Sequence, residues 1–335
     1  MASDSQLTVE AKDELERQQY RIVGNHSAVK TCGWTKSMLR GKGGCYKFIF
    51  YGIRSHQCMQ MTTSISCANR CVFCWRGYKA PVSKDWDWKV DDPDTIIEGS
   101  LKAHQDLIVG FHGYDLAPAK VLEESLEIKH VALSLTGEPI IYPKINEAIR
   151  SFHDRGITTF MVTNGQYPDA IRDLEPVTQL YLSVDAPNQE LLKKVDVPLF
   201  SDYWARLLQS LDALARREDR TAIRLTIIKG INDTDPEGYK TLIERGDPDF
   251  IEVKAYMYIG ESRERLKEEN MPRHEEVKAF SDELVKLLPD HECVAEHAPS
   301  RVVLLAKKTF KGKTYIDFDT FFADWKKRKA TSSSV

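Results

Sequence analysis

The chain has 335 residues, 42% of them hydrophobic and 29% charged, with a formal net charge of −3. That is an ordinary globular composition with length for one large core or two smaller ones. No apolar run approaches a bilayer span, and the polar, acidic stretch from Met1 to Glu10 lacks the apolar heart of a signal peptide, so a cytoplasmic protein with no membrane contact is expected.

In chain order, Ser5 to Val23 is predicted as a charged helix. Lys30 to Cys58 is rich in glycine and cysteine and is predicted as irregular backbone held by its ligands. Its Gly41-Lys42-Gly43-Gly44 lacks the Gly-Lys-Ser/Thr ending of a phosphate loop. From Gln60 short apolar runs alternate with helical patterns. Strands are predicted at Met59–Ile65, His130–Ser134, Thr158–Val162, Gln179–Val184, Ala222–Ile228 and Phe250–Ala255. Helices are predicted at Asp94–Phe111, Tyr142–Asp154, Ala170–Leu174, Tyr203–Arg216, Pro236–Arg245 and His274–Leu288. Such alternation argues for an α/β fold, a parallel sheet curved into a partial (β/α)6 TIM-like barrel with its reactive groups at the C-terminal strand ends. Beyond it, Cys293–Glu296, Val302–Ala306 and Thr314–Asp317 are predicted as short strands, and the Ser-rich tail Thr331–Val335 as frayed. The expected division is 1–58 for the N-terminal helix and cysteine-bearing segment, 59–290 for the barrel and 291–335 for a C-terminal extension.

The charge is unevenly placed. Tyr20 to Ala80 holds ten basic residues and no acid: Arg21, Lys30, Lys36, Arg40, Lys42, Lys47, Arg54, Arg70, Arg76 and Lys79. Pro81 to His130 carries eleven acids against five bases, and the segment from Arg301 is basic again. An acid-free basic stretch favours a polyanionic partner, a nucleic acid. A solvated surface, or pairing with acids elsewhere, is the plainer explanation.

Six of the seven cysteines fall between Cys32 and Cys74, and Cys293 stands alone. In a cytoplasmic chain such clustering points to metal or cluster ligation. Cys67-Ala68-Asn69-Arg70-Cys71-Val72-Phe73-Cys74 is a C-x3-C-x2-C run with an aromatic residue before the last cysteine. Three thiolates on one loop can hold three irons of a [4Fe–4S] cubane and leave the fourth open to a small molecule. Zinc ordinarily takes four protein ligands, and this loop offers three. The spacing, with Phe73, resembles the signature of radical S-adenosylmethionine (SAM) enzymes. That resemblance implies a 5′-deoxyadenosyl radical, chemistry that belongs to the cofactor.

The second predicted barrel strand ends in Leu135-Thr136-Gly137-Glu138-Pro139. Glycine permits close approach of a ligand, and glutamate accepts from an ammonium. In radical SAM barrels a similar element meets the amino group of SAM, which makes Thr136, Gly137 and Glu138 candidate cofactor contacts. Thr163-Asn164-Gly165 ends the third strand. Ser183 and Asp185 share a face at the end of the fourth, although Asp185 could equally cap the next helix. Arg224, Thr226, Lys229 and Asn232 come from the fifth unit. Glu252 and Lys254 point to one side of the sixth strand and are expected near the substrate or in an ion pair.

Cys32, Cys45 and Cys58 are separated by twelve residues each time. They can hold a second [4Fe–4S] cluster with one open iron, or a structural zinc with His56 as fourth ligand. The run Cys45-Tyr46-Lys47-Phe48, then Phe50-Tyr51-Gly52-Ile53, Ser55-His56 and Cys58 resembles the tRNA 4-demethylwyosine synthases. So do Cys74-Trp75-Arg76, the stretch Lys254 to Arg265-Leu266, and Asn270-Met271-Pro272. The resemblance extends from about Tyr20 to Trp325.

It implies condensation of N1-methylguanosine, beside the anticodon of tRNA(Phe), with two carbons of pyruvate, in wybutosine synthesis. It implies two [4Fe–4S] clusters and SAM, with Lys47 holding pyruvate as a Schiff base. Eukaryotic members carry a flavodoxin-like domain for which 335 residues leave no room; the resemblance is to the archaeal short form, so an external flavodoxin- or ferredoxin-type donor and a monomer are expected. A radical SAM enzyme acting on a peptide or small metabolite, and a zinc-bearing RNA-binding protein, are the competing readings.

Overall fold

The computed structural model describes residues 7–77, 80–113 and 117–332. Lys79 of the basic stretch, and all of the Ser-rich tail beyond Ser332, lie outside the described residues. Thr8 caps α1 (Val9–Arg17) by accepting from Ala11 N. The helix ends before the expected Val23, because Gln19 turns to φ +67° and the chain enters a hairpin of β1 (Arg21–Val23) and β2 (Ser27–Val29). Burial of Tyr20, Val23, Ala28 and Val29 decides this against the charged-helix pattern.

The stretch from Lys30 to Cys58 is not irregular. It forms α2 (Gly33–Leu39) and α3 (Tyr46–Tyr51), begun by Cys32 and Cys45 respectively, and Cys58 opens β3 (Cys58–Thr62). The aromatic side chains of α3 bury Tyr46, Phe50 and Tyr51, and that burial outweighs the flanking glycines.

The β/α succession then follows the sequence pattern. Asp92 caps α4 (Pro93–Ile108), where Pro93 occupies the first turn. Next come α5 (Ala119–Ser125), which had no sequence prediction, β4 (His130–Leu133), α6 (Ile145–Asp154), β5 (Thr158–Thr163) and α7 (Pro168–Arg172). β6 (Gln179–Ser183) leads into a second unpredicted helix, α8 (Gln189–Asp196), capped by Asn188. α9 (Tyr203–Leu214), β7 (Thr221–Ile227), α10 (Pro236–Gly246), β8 (Phe250–Ala255) and α11 (His274–Leu287) complete the six units.

β3 to β8 pair in parallel and in sequence order. At the far edge β10 (Val302–Lys307) pairs antiparallel with β8, and β9 (His291–His297) with β10, so ten strands form one continuous sheet. The fold is the partial TIM-like barrel. Residues 314–317 form no strand. Ile316 N donates to Tyr51 O at 3.1 Å and the Thr314 hydroxyl to Phe50 O, so this segment clamps the end of α3. The chain ends in α12 (Phe318–Ser332).

Two cores flank the sheet. The outer one packs Ile149, Phe152, Leu182, Leu211 and Val277 between strands and helices. The inner one fills the N-terminal end of the barrel with Phe160, Tyr181, Ala222, Phe250 and Leu304 against Tyr46, Phe50 and Tyr51 of α3. The C-terminal end is left hollow. Phe318 of α12 stacks on His130 at 4.9 Å, and Trp325 on His153 at 4.7 Å, beneath the starts of the strands. The basic C-terminal helix therefore lies at the opposite end from that hollow.

Candidate active site

The hollow is a cavity of about 450 Å³ at the C-terminal ends of the barrel strands. Its wall includes Cys67, Cys71 and Cys74; Cys32, Cys45 and Cys58; Lys47; and Phe73, Thr136, Gly137, Glu138, Thr163, Asn164, Ser183 and Asp185. The structure thus brings the six clustered cysteines, Lys47 and the candidate cofactor contacts to one wall, with Arg224, Thr226 and Lys254, whereas Lys229, Asn232 and Glu252 do not line it. A larger groove of about 570 Å³ lies outside the barrel, lined by Asp169, Arg172, Arg217 and Asp219. Those four are already joined in ion pairs to one another or to near neighbours, and no cysteine lines the groove.

The Cys67–Cys74 loop is held by backbone hydrogen bonds on two sides. From the unpredicted α8, Val195 O accepts from Val72 N at 2.8 Å and Asp196 O from Arg70 N at 3.0 Å. From the segment after β8, Glu261 N donates to Trp75 O at 3.0 Å. Gly260 makes that approach feasible, since at φ +58° a Cβ would lie 2.5 Å from Trp75 O. Arg265 donates to the carbonyls of Val72 (3.0 Å), Cys74 and Arg76 (3.2 Å). Arg76 in turn donates to Ile65 O, Asn69 O and Pro81 O at 3.1–3.2 Å. Two guanidinium groups thus tie the loop together. Sequence spacing carried no signal for Arg265, which lies almost two hundred residues away.

Glu138 is buried. Its Oε2 accepts from Asn164 N at 2.9 Å, and its Oε1 has no hydrogen-bond partner among the described residues. Burial pushes the carboxyl up to about 7, against the hydrogen bond from Asn164. An unpartnered buried carboxylate oxygen on a cavity wall fits an ammonium ligand. Asn164 Nδ2 also donates to Cys67 Sγ at 3.4 Å, which links this wall to the loop. Gly137, which lines the cavity, also meets a packing constraint. At φ +68° its Cβ position falls 1.9 Å from Ser64 O, so glycine is required for backbone packing against the segment between β3 and the Cys67 loop. Asp185 does not cap α8; its carboxylate accepts from Thr226 N at 3.2 Å, and burial raises its carboxyl to about 6.

The thiols bear the cost of their enclosure. Burial raises Cys67 to about 11 and Cys58 to about 12, and lifts Cys32 and Cys71 as well. Thiols gathered where the anion is costly are suited to iron, whose charge offsets that cost. Among the described residues no three of His, Cys, Asp and Glu converge on one metal-ion position. A single zinc would draw its sulfurs to about 4 Å from one another, whereas cluster thiolates bind separate irons. His56, the fourth ligand of the zinc alternative, pairs its Nε2 with Glu124 at 2.7 Å and does not line the cavity that holds Cys32, Cys45 and Cys58. The three thiols of the Cys67–Cys74 loop fit a [4Fe–4S] cluster with one iron left open.

Lys47 stands near the floor. Its Nζ lies 4.1 Å from the centre of the Tyr181 ring and has no carboxylate in ion-pair contact among the described residues. Burial, helped by Arg224 and opposed by Glu252 and the nearby Cys58 and Cys45, brings it down to about 8. Glu252 is not on the cavity wall. It is fully buried behind it, accepting from Tyr46 and Tyr51 hydroxyls at 3.0 Å and pairing with Arg224 at 3.0 Å. Lys254 does face the cavity, with Nζ donating to Ser300 O at 3.1 Å. Arg224 lines the cavity too; its position on an inward face, two residues before Thr226, was the available signal.

Of the basic stretch, Lys47 and Arg76 are drawn inside, whereas Arg21, Arg40, Lys42, Arg54 and Arg70 remain exposed. Arg54 is partly taken up by Glu124 at 3.8 Å.

A parallel barrel with a three-cysteine loop after its first strand, facing an acidic wall, defines a radical SAM protein. Residues 61–243 match the Radical SAM superfamily, a family that works through SAM and a [4Fe–4S] cluster, and residues 245–307 match the family of Wyosine base formation. The chain is 51% identical over 320 residues to the S-adenosyl-L-methionine-dependent tRNA 4-demethylwyosine synthase TYW1 of Xenopus laevis, covering 94% of this chain and 44% of that protein. It thus spans about half the length of the curated relatives it matches. Among solved structures it is similar to TYW1 with a lysine–pyruvate adduct bound, with TM-score 0.82 and 36% identity over 94% of this chain and 99% of that one. It is also similar to an archaeal TYW1, with TM-score 0.74 and 34% identity over 90% and 97%. The chain belongs to the TYW1 family within the radical SAM superfamily.

Proposed function

We propose that this chain is a cytoplasmic tRNA 4-demethylwyosine synthase, a carbon–carbon lyase that condenses N1-methylguanosine of tRNA(Phe), beside the anticodon, with two carbons of pyruvate. The observation that carries the reading is that both cysteine trios and Lys47 line one cavity. The Xenopus relative bearing that name, and a similar structure with a lysine–pyruvate adduct, support it.

Cys67, Cys71 and Cys74 would hold one [4Fe–4S] cluster, and Cys32, Cys45 and Cys58 a second. When bound, the first cluster and SAM supply a 5′-deoxyadenosyl radical. Glu138 pairs with the SAM ammonium, while Phe73, Thr136, Gly137, Thr163, Asn164, Ser183 and Asp185 line the cofactor's place. Lys47 takes the pyruvate carbonyl as an imine with loss of water, its amine free of any carboxylate partner. The exposed Arg21, Arg40, Lys42 and Arg70 receive the anticodon arm, and the target base is extruded into the cavity. The unit acts as a monomer, with electrons from a flavodoxin- or ferredoxin-type donor.

The test is Lys47→Ala in anaerobically reconstituted enzyme. Pyruvate with borohydride should fix an adduct on Lys47 of the parent. The variant should lose ring formation on tRNA while keeping its iron and uncoupled SAM cleavage. Full ring formation by the variant refutes the role of Lys47.

A further inference from the structure

Arg224 has no task in the reaction as proposed above. It stands on β7 in register with Ser183 on β6 and Glu252 on β8. Nε and Nη2 both donate to Glu252 Oε2 at 3.0 Å, and Nη2 also donates to Tyr46 Oη at 2.8 Å. Nη1 has no partner among the described residues, and Arg224 lines the cavity while Glu252 is wholly buried behind it. The head is therefore held from behind with one donor edge left for the cavity. The same Tyr181 ring lies 4.1 Å from Lys47 Nζ and 5.1 Å from Arg224 Cζ, so amine and guanidinium, both on the cavity wall, stand beside one aromatic ring.

We propose that Arg224 binds the carboxylate of the 2-oxo acid whose carbonyl carbon meets Lys47, and so sets specificity for an acid over a neutral ketone. The proposal rests on the reading of Lys47 as the carbonyl-binding residue. In a 2-oxo acid the carboxylate is bonded directly to that carbonyl carbon. Wherever Lys47 holds the carbonyl, the carboxylate must lie within a few ångströms on this enclosed floor. A carboxylate is not tolerated there without a cation to pair it. Lys47 cannot serve, because its nitrogen is consumed by the carbonyl. Lys254 already donates to Ser300 O and adjoins Cys32. Among the described side chains Arg224 alone combines an unpartnered donor edge, a rigid planar head and proximity to Lys47. Glu252 and Tyr46 orient the head without occupying that edge.

The experiment measures borohydride trapping on Lys47 by mass, in anaerobically reconstituted enzyme, against the concentration of pyruvate or of methyl pyruvate. The variant Arg224→Gln with Glu252→Gln removes both charges of the buried pair and strands neither. Half-maximal trapping should then need about tenfold more pyruvate or beyond, as expected for loss of one charge-assisted contact, with the methyl pyruvate requirement unchanged. An unchanged pyruvate requirement overturns the proposal and places the carboxylate elsewhere, for example on an iron of the second cluster. If the double variant fails to fold or to hold its clusters, Arg224→Lys decides instead. It keeps the charge beside Glu252 but loses the fork, and an unaltered pyruvate requirement in it is equally fatal. Absence of trapping in the parent overturns the Lys47 reading together with this one. Trapping in the parent that the variants do not alter overturns this one alone.

Discussion

The two cysteine trios reach the same cavity by different routes. Cys67, Cys71 and Cys74 lie within eight residues on one loop, and backbone hydrogen bonds from α8 and from the segment after β8 fix that loop from both sides. Cys32, Cys45 and Cys58 are spread over twenty-seven residues, and each stands where an element begins: the start of α2, the start of α3 and the first residue of β3. A loop site can be specified by local spacing and then braced. A dispersed site exists only once packing of separate elements has been completed, here by the burial of α3 inside the barrel. The first site should tolerate change in the barrel interior better than the second, and the second should depend on the fold rather than on its own segment.

The largest test breaks each trio in turn. Replacing Cys67, Cys71 and Cys74 with alanine should leave about half the iron and abolish SAM cleavage. Replacing Cys32, Cys45 and Cys58 should also halve the iron but spare uncoupled cleavage. Iron analysis and 5′-deoxyadenosine assay distinguish these outcomes, and cleavage by the first variant would refute the assignment.

Mild acid weakens the frame around both sites through residues outside either. Burial lowers His104 and His153 to about 4, whereas the unfolded chain takes the proton near 6.5. The unfolded state therefore binds more protons between these values. Stability should be full above about pH 6.5 and fall toward pH 4, by about 1.4 kcal/mol per pH unit for each such histidine. Denaturant midpoints at pH 7 and pH 5 measure this, and His104→Phe should flatten the profile. Equal midpoints would mean that these rings accept protons in the fold.

Arg265→Ala sharpens the comparison, because it removes three hydrogen bonds to the backbone of the first loop and its end. A loss of about 1–3 kcal/mol in bracing is expected. SAM cleavage should fall about tenfold, while pyruvate trapping on Lys47 stays at parental level. Loss of both would show that Arg265 supports the fold at large. The smallest effect is at the rim. Charge reversal of the exposed Arg40 and Lys42 should weaken tRNA binding and lower its salt dependence by about two ion equivalents, leaving uncoupled SAM cleavage intact. Unchanged binding across salt concentrations would remove this patch from the interface.

The barrel strands and most helices were legible because each carries its own period of apolar residues, as in Phe250–Ala255 and Tyr203–Leu214. α3 was not, since six aromatic-rich residues between glycines have no period to read and become a helix only when the barrel interior buries them. The apolar run after Thr314 was read as a strand, yet its backbone instead bonds to the end of α3. Glu252 and Lys254 share a face by period two, but pairing with Arg224 and two tyrosines hides Glu252 while Lys254 reaches the cavity.

The sequence by itself determined the chemistry on offer: two sets of three thiols, a lysine beside one of them, an acidic strand end and a parallel barrel to collect them. These are properties of residue type and short-range spacing, which survive without any fold. Only the tertiary structure decided which groups meet. Arg265 reaches the first loop from almost two hundred residues away, Arg224 turns an edge to the cavity because Glu252 and Tyr46 hold it from behind, and the basic C-terminal helix is carried to the far end of the barrel. Such meetings depend on how separate elements pack, and packing is a property of the whole chain that no short stretch encodes.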